Sequence, residues 1–444
     1  MVLSTRRGFL VGGSAALAGI AGSRLPSFAF SPPKLSATDE VLVVLFLRGG
    51  MDGLSLLPPV SGPDRAYYEA LRPNLQVPTS GSAAAIPLGT SGFGLHPAAA
   101  PLMPLWQDGR LAIVQASGMD ENERSHFDSQ DWIELGTPGL SGTTTGWLTR
   151  HLASVPGLPP ELVVPSLSVA DTQAVSLLGS YDTLNVASPD SFSLIGPWQW
   201  LDAQRTSLRA LYGAEADWLH QAGLQALDAV DIVELYLSGP YTPSGGAVYP
   251  DTWLGQQLQL IARTIKMDLG LRVATLDLGG WDTHEYQGDG GEGFFAQLAG
   301  ELAQGLAALY IDLDAGPVYT SRFTLVAMSE FGRRAEENAD RGTDHGHGGP
   351  MLILSGNAIG GLHGSWPGLR PDQLADGDLA VTTDFRRVLS EILVRRCGNP
   401  NWNEVFPGYS GYAPLGVVHG SDLEPIFADG FESGDTTVWS QTMP

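Results

Sequence analysis

Short unbroken apolar runs alternate with longer amphipathic stretches along this chain. Glu40-Val41-Leu42-Val43-Val44-Leu45-Phe46-Leu47 is a continuous run rich in β-branched residues that stops at Arg48-Gly49-Gly50, the pattern of a strand buried on both faces of a parallel sheet. Leu111–Ala116, Arg272–Leu278, Phe323–Met328 and Met351–Leu354 read the same way. Helical periodicity falls between them, over Pro101–Trp106, His126–Leu135, Trp253–Leu269, Phe294–Ile311 and Phe385–Arg396. This alternation predicts an α/β fold with a mostly parallel central sheet and helices on both faces. The middle of the chain, 155–249, is richer in Pro and Gly and carries helical patterns near Leu201–Tyr212 and Ala214–Tyr236. It reads as an inserted cap rather than a second domain.

The ends differ from this body. Ser4-Thr5-Arg6-Arg7-Gly8-Phe9-Leu10, a weakly apolar Ala/Gly-rich run over Val11–Ala21 and a small-residue exit near Ser27-Phe28-Ala29 form the pattern of a twin-arginine export signal over 1–30. Its apolar run is shorter than the roughly 20 residues a spanning helix needs, so no transmembrane anchor is expected in the mature chain. A periplasmic, secreted or surface-attached protein is expected. Ile426–Asp435 with Trp439-Ser440 resembles a short tail of exported proteins. Sorting, surface attachment and a plain acidic tail all remain open for 420–444, which is set apart from the body at 38–415.

Composition narrows the partners. The 444 residues carry 43% hydrophobic content, enough for a sizeable core, and Cys397 is the only cysteine, so an internal disulfide is impossible. A formal net charge of −24, with Lys34 and Lys266 the only lysines, argues against sequence-independent nucleic-acid binding. An anionic substrate would need local positive charge, which a bound metal provides.

Candidate chemistry clusters near predicted strand ends, where open parallel sheets bind their ligands. Asp52 follows the first apolar run, Asp282 and His284 another, and Glu330 a third; Gly342-Thr343-Asp344-His345-Gly346-His347 offers three more possible ligands in a chain of 9 histidines. Mixed Asp/His ligation suits zinc, manganese or iron better than an all-oxygen calcium cage, with zinc or manganese the expected ions. Ser125, at the predicted start of a helix, reads as a nucleophile or as an N-cap serine. His126 reads as a ligand, a general acid or a capping-turn histidine. Arg124 reads as a charge for an anionic substrate or as a partner of Glu123 or Asp128.

Taken together, the export signal, Leu47–Gly53, Gly94-Leu95-His96-Pro97, Arg124-Ser125-His126-Phe127, Gly280–His284, Ser329–Arg333 and Gly342–Gly346 resemble the DUF1501 family of bacterial proteins. That resemblance extends to the alkaline phosphatase and sulfatase superfamily, and implies a two-metal hydrolytic centre. Residue by residue, it implies Asp52, Asp344 and His345 around one metal, Asp282 and His284 at the other, and Ser125 as nucleophile. Only Thr283 separates Asp282 from His284, where the superfamily usually has three residues. The last histidine ligand is His347 or His363, with Glu330 and His126 as substitutes. The chain lacks the Cys/Ser-x-Pro-x-Arg motif of sulfatases at Ser125, so the expected activity is metal-dependent phosphoester hydrolysis with one or two ions. Two other readings stand beside it: a catalytically silent, metal-stabilised surface or glycan-binding protein of the same fold, and a sulfatase-like or other esterase. Against a metal-free serine esterase, the chain has no Gly-x-Ser-x-Gly elbow.

Overall fold

The computed structural model describes residues 39–423 apart from 141, 160, 161, 163, 190, 191, 216, 238 and 316. The export-signal pattern at 1–30 and the tail from 424 onward lie outside the described residues.

Eleven strands occur among the described residues: β1 (Val41–Leu47), β2 (Ile86–Pro87), β3 (Gly94–Leu95), β4 (Leu111–Gly118), β5 (Ser166–Ser168), β6 (Thr183–Asn185), β7 (Val273–Leu278), β8 (Phe323–Met328), β9 (Gly349–Ser355), β10 (Gly361–His363) and β11 (Thr383–Asp384). β2 and β3 form a small antiparallel ribbon. The other nine make one sheet in the order β10-β4-β9-β8-β1-β7-β5-β6, with β11 pairing β4. Every pairing in it is parallel except the two made by β9, which runs against β4 and β8. The fold is thus α/β with a mostly parallel central sheet.

The unbroken apolar character of β1 follows from its place at the centre. Alternate residues face opposite sides: Val41, Val43, Leu45 and Leu47 enter one core, while Leu42, Val44 and Phe46 enter the other. Helices Trp253–Met267 and Phe294–Asp314 cover the first face, and Phe385–Arg395 covers the second together with Ile133, Trp147 and Phe406. Thr252 and Asp384 cap two of these helices, accepting from the backbone N–H of Gly255 and Arg386. Helix Phe294–Asp314 is long and apolar enough to cross a membrane by composition, but most of it is buried against this sheet.

Two features differ from the sequence reading. The run Met351–Leu354 belongs to an antiparallel strand, so the loop preceding β9 lies at the same sheet edge as the loops following β1, β7 and β8. The stretch read as a cap is not all inserted, because β5 and β6 extend the sheet beside β7. Its later part is a helical hairpin, Leu201–Tyr212 and Trp218–Ile232, clamped where Arg205 and Arg209 reach Asp231 at 2.9 and 2.6 Å. The last described residues dock on the body through Asp422, which bonds Arg395 and Tyr412.

Candidate metal centre

Four loops meet at the carboxyl edge of the sheet, and glycines allow them to touch. Gly49 has φ +119°, and a Cβ there would stand 2.5 Å from the Asp282 nitrogen. A Cβ on Gly346 would fall 2.2 Å from the Arg333 carbonyl carbon, so this glycine provides close backbone approach rather than flexibility.

The meeting point is Asp282 Oδ1. Around it stand His284 Nε2 at 3.1 Å, His126 Nε2 at 3.3 Å and His345 Nε2 at 3.4 Å. His284 Nε2 and His345 Nε2 are 2.9 Å apart, and the ligand atoms of His126, Asp282 and His345 all lie within 4.8 Å of one another.

Each imidazole is oriented by its other nitrogen. His126 Nδ1 lies 2.7 Å from Glu330 Oε1, His284 Nδ1 lies 3.1 Å from Asp344 Oδ1, and His345 Nδ1 lies 2.7 Å from the Arg124 carbonyl oxygen. A carboxylate or a carbonyl can only accept, so all three Nδ1 atoms carry the proton in the neutral rings and all three Nε2 lone pairs face the centre, that of His284 also meeting the Arg333 Nη1 donor at 3.5 Å. Two such lone pairs 2.9 Å apart repel unless a cation lies near both. His126 Nε2 is buried and makes no hydrogen bond, although Asp282 is close. An orphaned acceptor of this kind, with carboxylates and a carbonyl holding the rings from behind, is the donor set expected of a metal site. The spacing agrees as well, because ligand arms of about 2.0–2.1 Å in a tetrahedral site separate neighbouring ligands by roughly 3.3 Å.

Glu330 and Arg333 frame this set. Glu330 is fully buried and accepts from His126 Nδ1, from Gln130 Nε2 at 2.8 Å and from the Gly49 N–H at 2.9 Å. Burial opposes its charge, but these bonds prevail and hold its carboxyl below the usual range. The hydrogen bond to Glu330 raises His126 above the ordinary imidazole value against the pull of burial, helped by the charges of Glu330 and Asp282. His345 is lowered, chiefly by burial. Arg333 is buried and donates to Gly50 O at 2.7 Å, Thr343 O at 2.8 Å and Asp282 Oδ1 at 2.6 Å. Burial works against the Asp282 charge too, yet the Arg333 bond and charge bring its carboxyl down to about 2.

The other expected site residues lie elsewhere or act differently. Asp52 is buried in a pair with Arg72 at 2.6 Å, and the same Oδ2 accepts from Ser55 Oγ and Gln287 Nε2. That oxygen balances a guanidinium, Oδ1 is buried without a partner, and no contact joins Asp52 to Asp344 or His345 among the described residues. Asp344 orients His284 from behind. His347 Nε2 donates to the Met119 carbonyl at 2.7 Å, tying its loop to the end of β4 and turning away from the cluster. His363 donates to the Ile359 carbonyl, on a strand pairing Ala112–Val114 well short of the carboxyl edge. Ser125 is the N-cap of helix His126–Leu135, its hydroxyl accepting from the Asp128 N–H at 3.4 Å. No hydrogen bond joins it to the clustered groups among the described residues. Arg124 pairs with buried Asp378 at 2.7 Å rather than with Glu123 or Asp128 through its guanidinium, and its carbonyl positions His345.

Neither Arg333 nor Arg72 has a role legible in the sequence. Arg333 stood within Ser329–Arg333 but carried no spacing signal of its own. Residues 201–390 match the model of a family described as a protein of unknown function (DUF1501). That span holds Asp282, His284, Glu330, Arg333 and His345; His126 and Asp52 precede it. No curated protein and no solved structure gives a match.

Proposed function

We propose that this chain is an exported, metal-dependent hydrolase of alkaline phosphatase-like architecture, acting on esters at a single centre formed by His126, Asp282 and His345 with His284 beside them. One observation carries the proposal: three imidazoles, each fixed through Nδ1 to an acceptor, direct Nε2 toward one carboxylate. A zinc or manganese ion held by these donors supplies Lewis acidity and acidifies water. Glu330 holds the His126 tautomer, and the Arg124 carbonyl holds that of His345. Asp282, half exposed, opens the centre to solvent and substrate. With the Ser125 hydroxyl engaged as a helix cap, the proposed nucleophile is water. Phosphoesters are the first substrate class to test. The export route, by the twin-arginine pathway to the periplasm or cell surface, rests on Arg6-Arg7 and the run that follows.

The experiment is a panel of phosphomonoesters, phosphodiesters, sulfate esters and carboxyl esters, assayed on the zinc- and manganese-loaded protein beside metal analysis. Turnover lost in Asp282→Ala together with the metal supports the reading. Stoichiometric metal without turnover on any ester favours a silent, metal-stabilised protein instead. The observation behind that second reading is Arg333, a buried cation 2.6 Å from the Asp282 oxygen, which competes with the ion for its charge.

A further inference from the structure

Beside the cluster lies a cleft of about 220 Å³ that the chemistry above does not use. Helix His126–Leu135 connects the two: His126 at its start faces the metal donors, while Phe127, Gln130, Asp131 and Glu134 line the cleft. Gln130 belongs to both, donating to Glu330 at 2.8 Å and accepting from Arg48 Nη1 at 3.0 Å.

The lining excludes one class of ligand and suits another. Asp131, Glu134 and Asp277 bring three carboxylates against one guanidinium. That guanidinium, Arg48, is already taken up by Gln130 at 3.0 Å, Glu134 at 3.0 Å and Asp277 at 2.8 Å. Among the described residues, no free cation in the wall greets an anion. Phe127, at the rim, is 84% exposed although it belongs to a well-formed helix, and presents an aromatic surface to the cleft. Thr275 lines both the cleft and a small neighbouring cavity, is only 5% exposed, and has a buried hydroxyl with no protein partner. Buried hydroxyls are rarely left unbonded. The Asp131 carboxylate, the lone pairs that Glu134 and Asp277 keep beyond Arg48, and the Thr275 hydroxyl, together with an exposed aromatic ring, make a surface for a neutral, hydroxyl-rich ring: acceptors for its hydroxyls, and an apolar platform for its C–H face.

We propose that this cleft binds a neutral sugar, the portion of the substrate flanking the ester that reaches the metal centre. The sugar assignment rests on the cleft, and its place in a substrate rests on the hydrolase reading above.

The test is saturation-transfer NMR on the full chain with the methyl glycosides of glucose, galactose, mannose and xylose, and with methyl glucuronide as the anionic counterpart. At least one neutral glycoside binds, and its affinity falls roughly tenfold in Phe127→Ala, an exposed position whose loss leaves the core intact. Thr275→Val, which keeps the shape and removes the hydroxyl, weakens it as well. Binding survives in Asp282→Ala. If none of the four neutral glycosides binds, if Phe127→Ala binds like wild type, or if the glucuronide binds more tightly than its neutral counterpart, the cleft assignment is wrong. Glycoside binding without turnover on any ester would instead keep the cleft and remove the hydrolase reading.

Discussion

Glu330 Oε1 accepts the Nδ1 proton of His126 at 2.7 Å from a position with no solvent exposure. This bond fixes which imidazole nitrogen faces the proposed metal site. Glu330→Gln is therefore expected to lower metal affinity by roughly 10–100-fold without abolishing the fold, as loss of such supporting groups does elsewhere. A competition titration against a chromophoric chelator reads the change. Unaltered affinity would detach His126 from the centre.

Asp52 and Arg72 make a different prediction. Both are fully buried, 2.6 Å apart, and removing one partner leaves an uncompensated charge. Asp52→Ala is expected to cost about 3–5 kcal/mol of stability, measured by denaturant unfolding, while the metal content of the folded fraction stays at wild-type stoichiometry. Loss of metal with little loss of stability would restore Asp52 as a ligand.

Ser125→Ala removes an N-cap. The expected cost is about 1 kcal/mol of stability, and on any ester the protein hydrolyses turnover stays within a few-fold of wild type. Abolished turnover with intact metal binding would make Ser125 the nucleophile after all.

His151 gives the protein an acid-sensitive element away from the centre. Burial lowers its pKa to about 4, and its Nδ1 lies 3.0 Å from the Asn399 Nδ2 donor, which favours the neutral ring. Because this value lies below the 6.5 of a free imidazole, the unfolded chain takes up the proton first. Its contribution is thus complete above about pH 6.5 and is lost as the pH falls toward 4, a change of roughly 3 kcal/mol. His96, also lowered to about 4 by burial, adds to the same limb. In His151→Leu the loss of stability between pH 6.5 and 4 should be clearly shallower than in wild type, as followed by thermal unfolding across that range.

The strands were legible where the apolar run was long. β1, β7 and β8 each bury nearly every residue, and that leaves an unbroken apolar signature. The direction of β9 was not legible, since a run buried on both faces reads the same either way. Nor were β5 and β6, at three residues each too short to carry a pattern. At the centre, Asp282, His284, His345 and His126 stood out as residue types near strand ends, but their partners did not. An aspartate after a buried strand looks identical whether it faces an ion or an arginine, and Arg72 lies twenty positions beyond Asp52 with no motif around it. His347 shared the glycine-rich loop with His345, yet two residues along that loop the chain has already turned toward Met119.

The most direct test of the central claim is an anomalous-difference map at the zinc edge from crystals of the zinc-loaded protein. One strong peak is expected, about 2.0–2.2 Å from His126 Nε2, His345 Nε2 and a carboxylate oxygen of Asp282. A peak held by Asp52, Asp344 or His347 without His126, or no peak at this edge of the sheet, would contradict it.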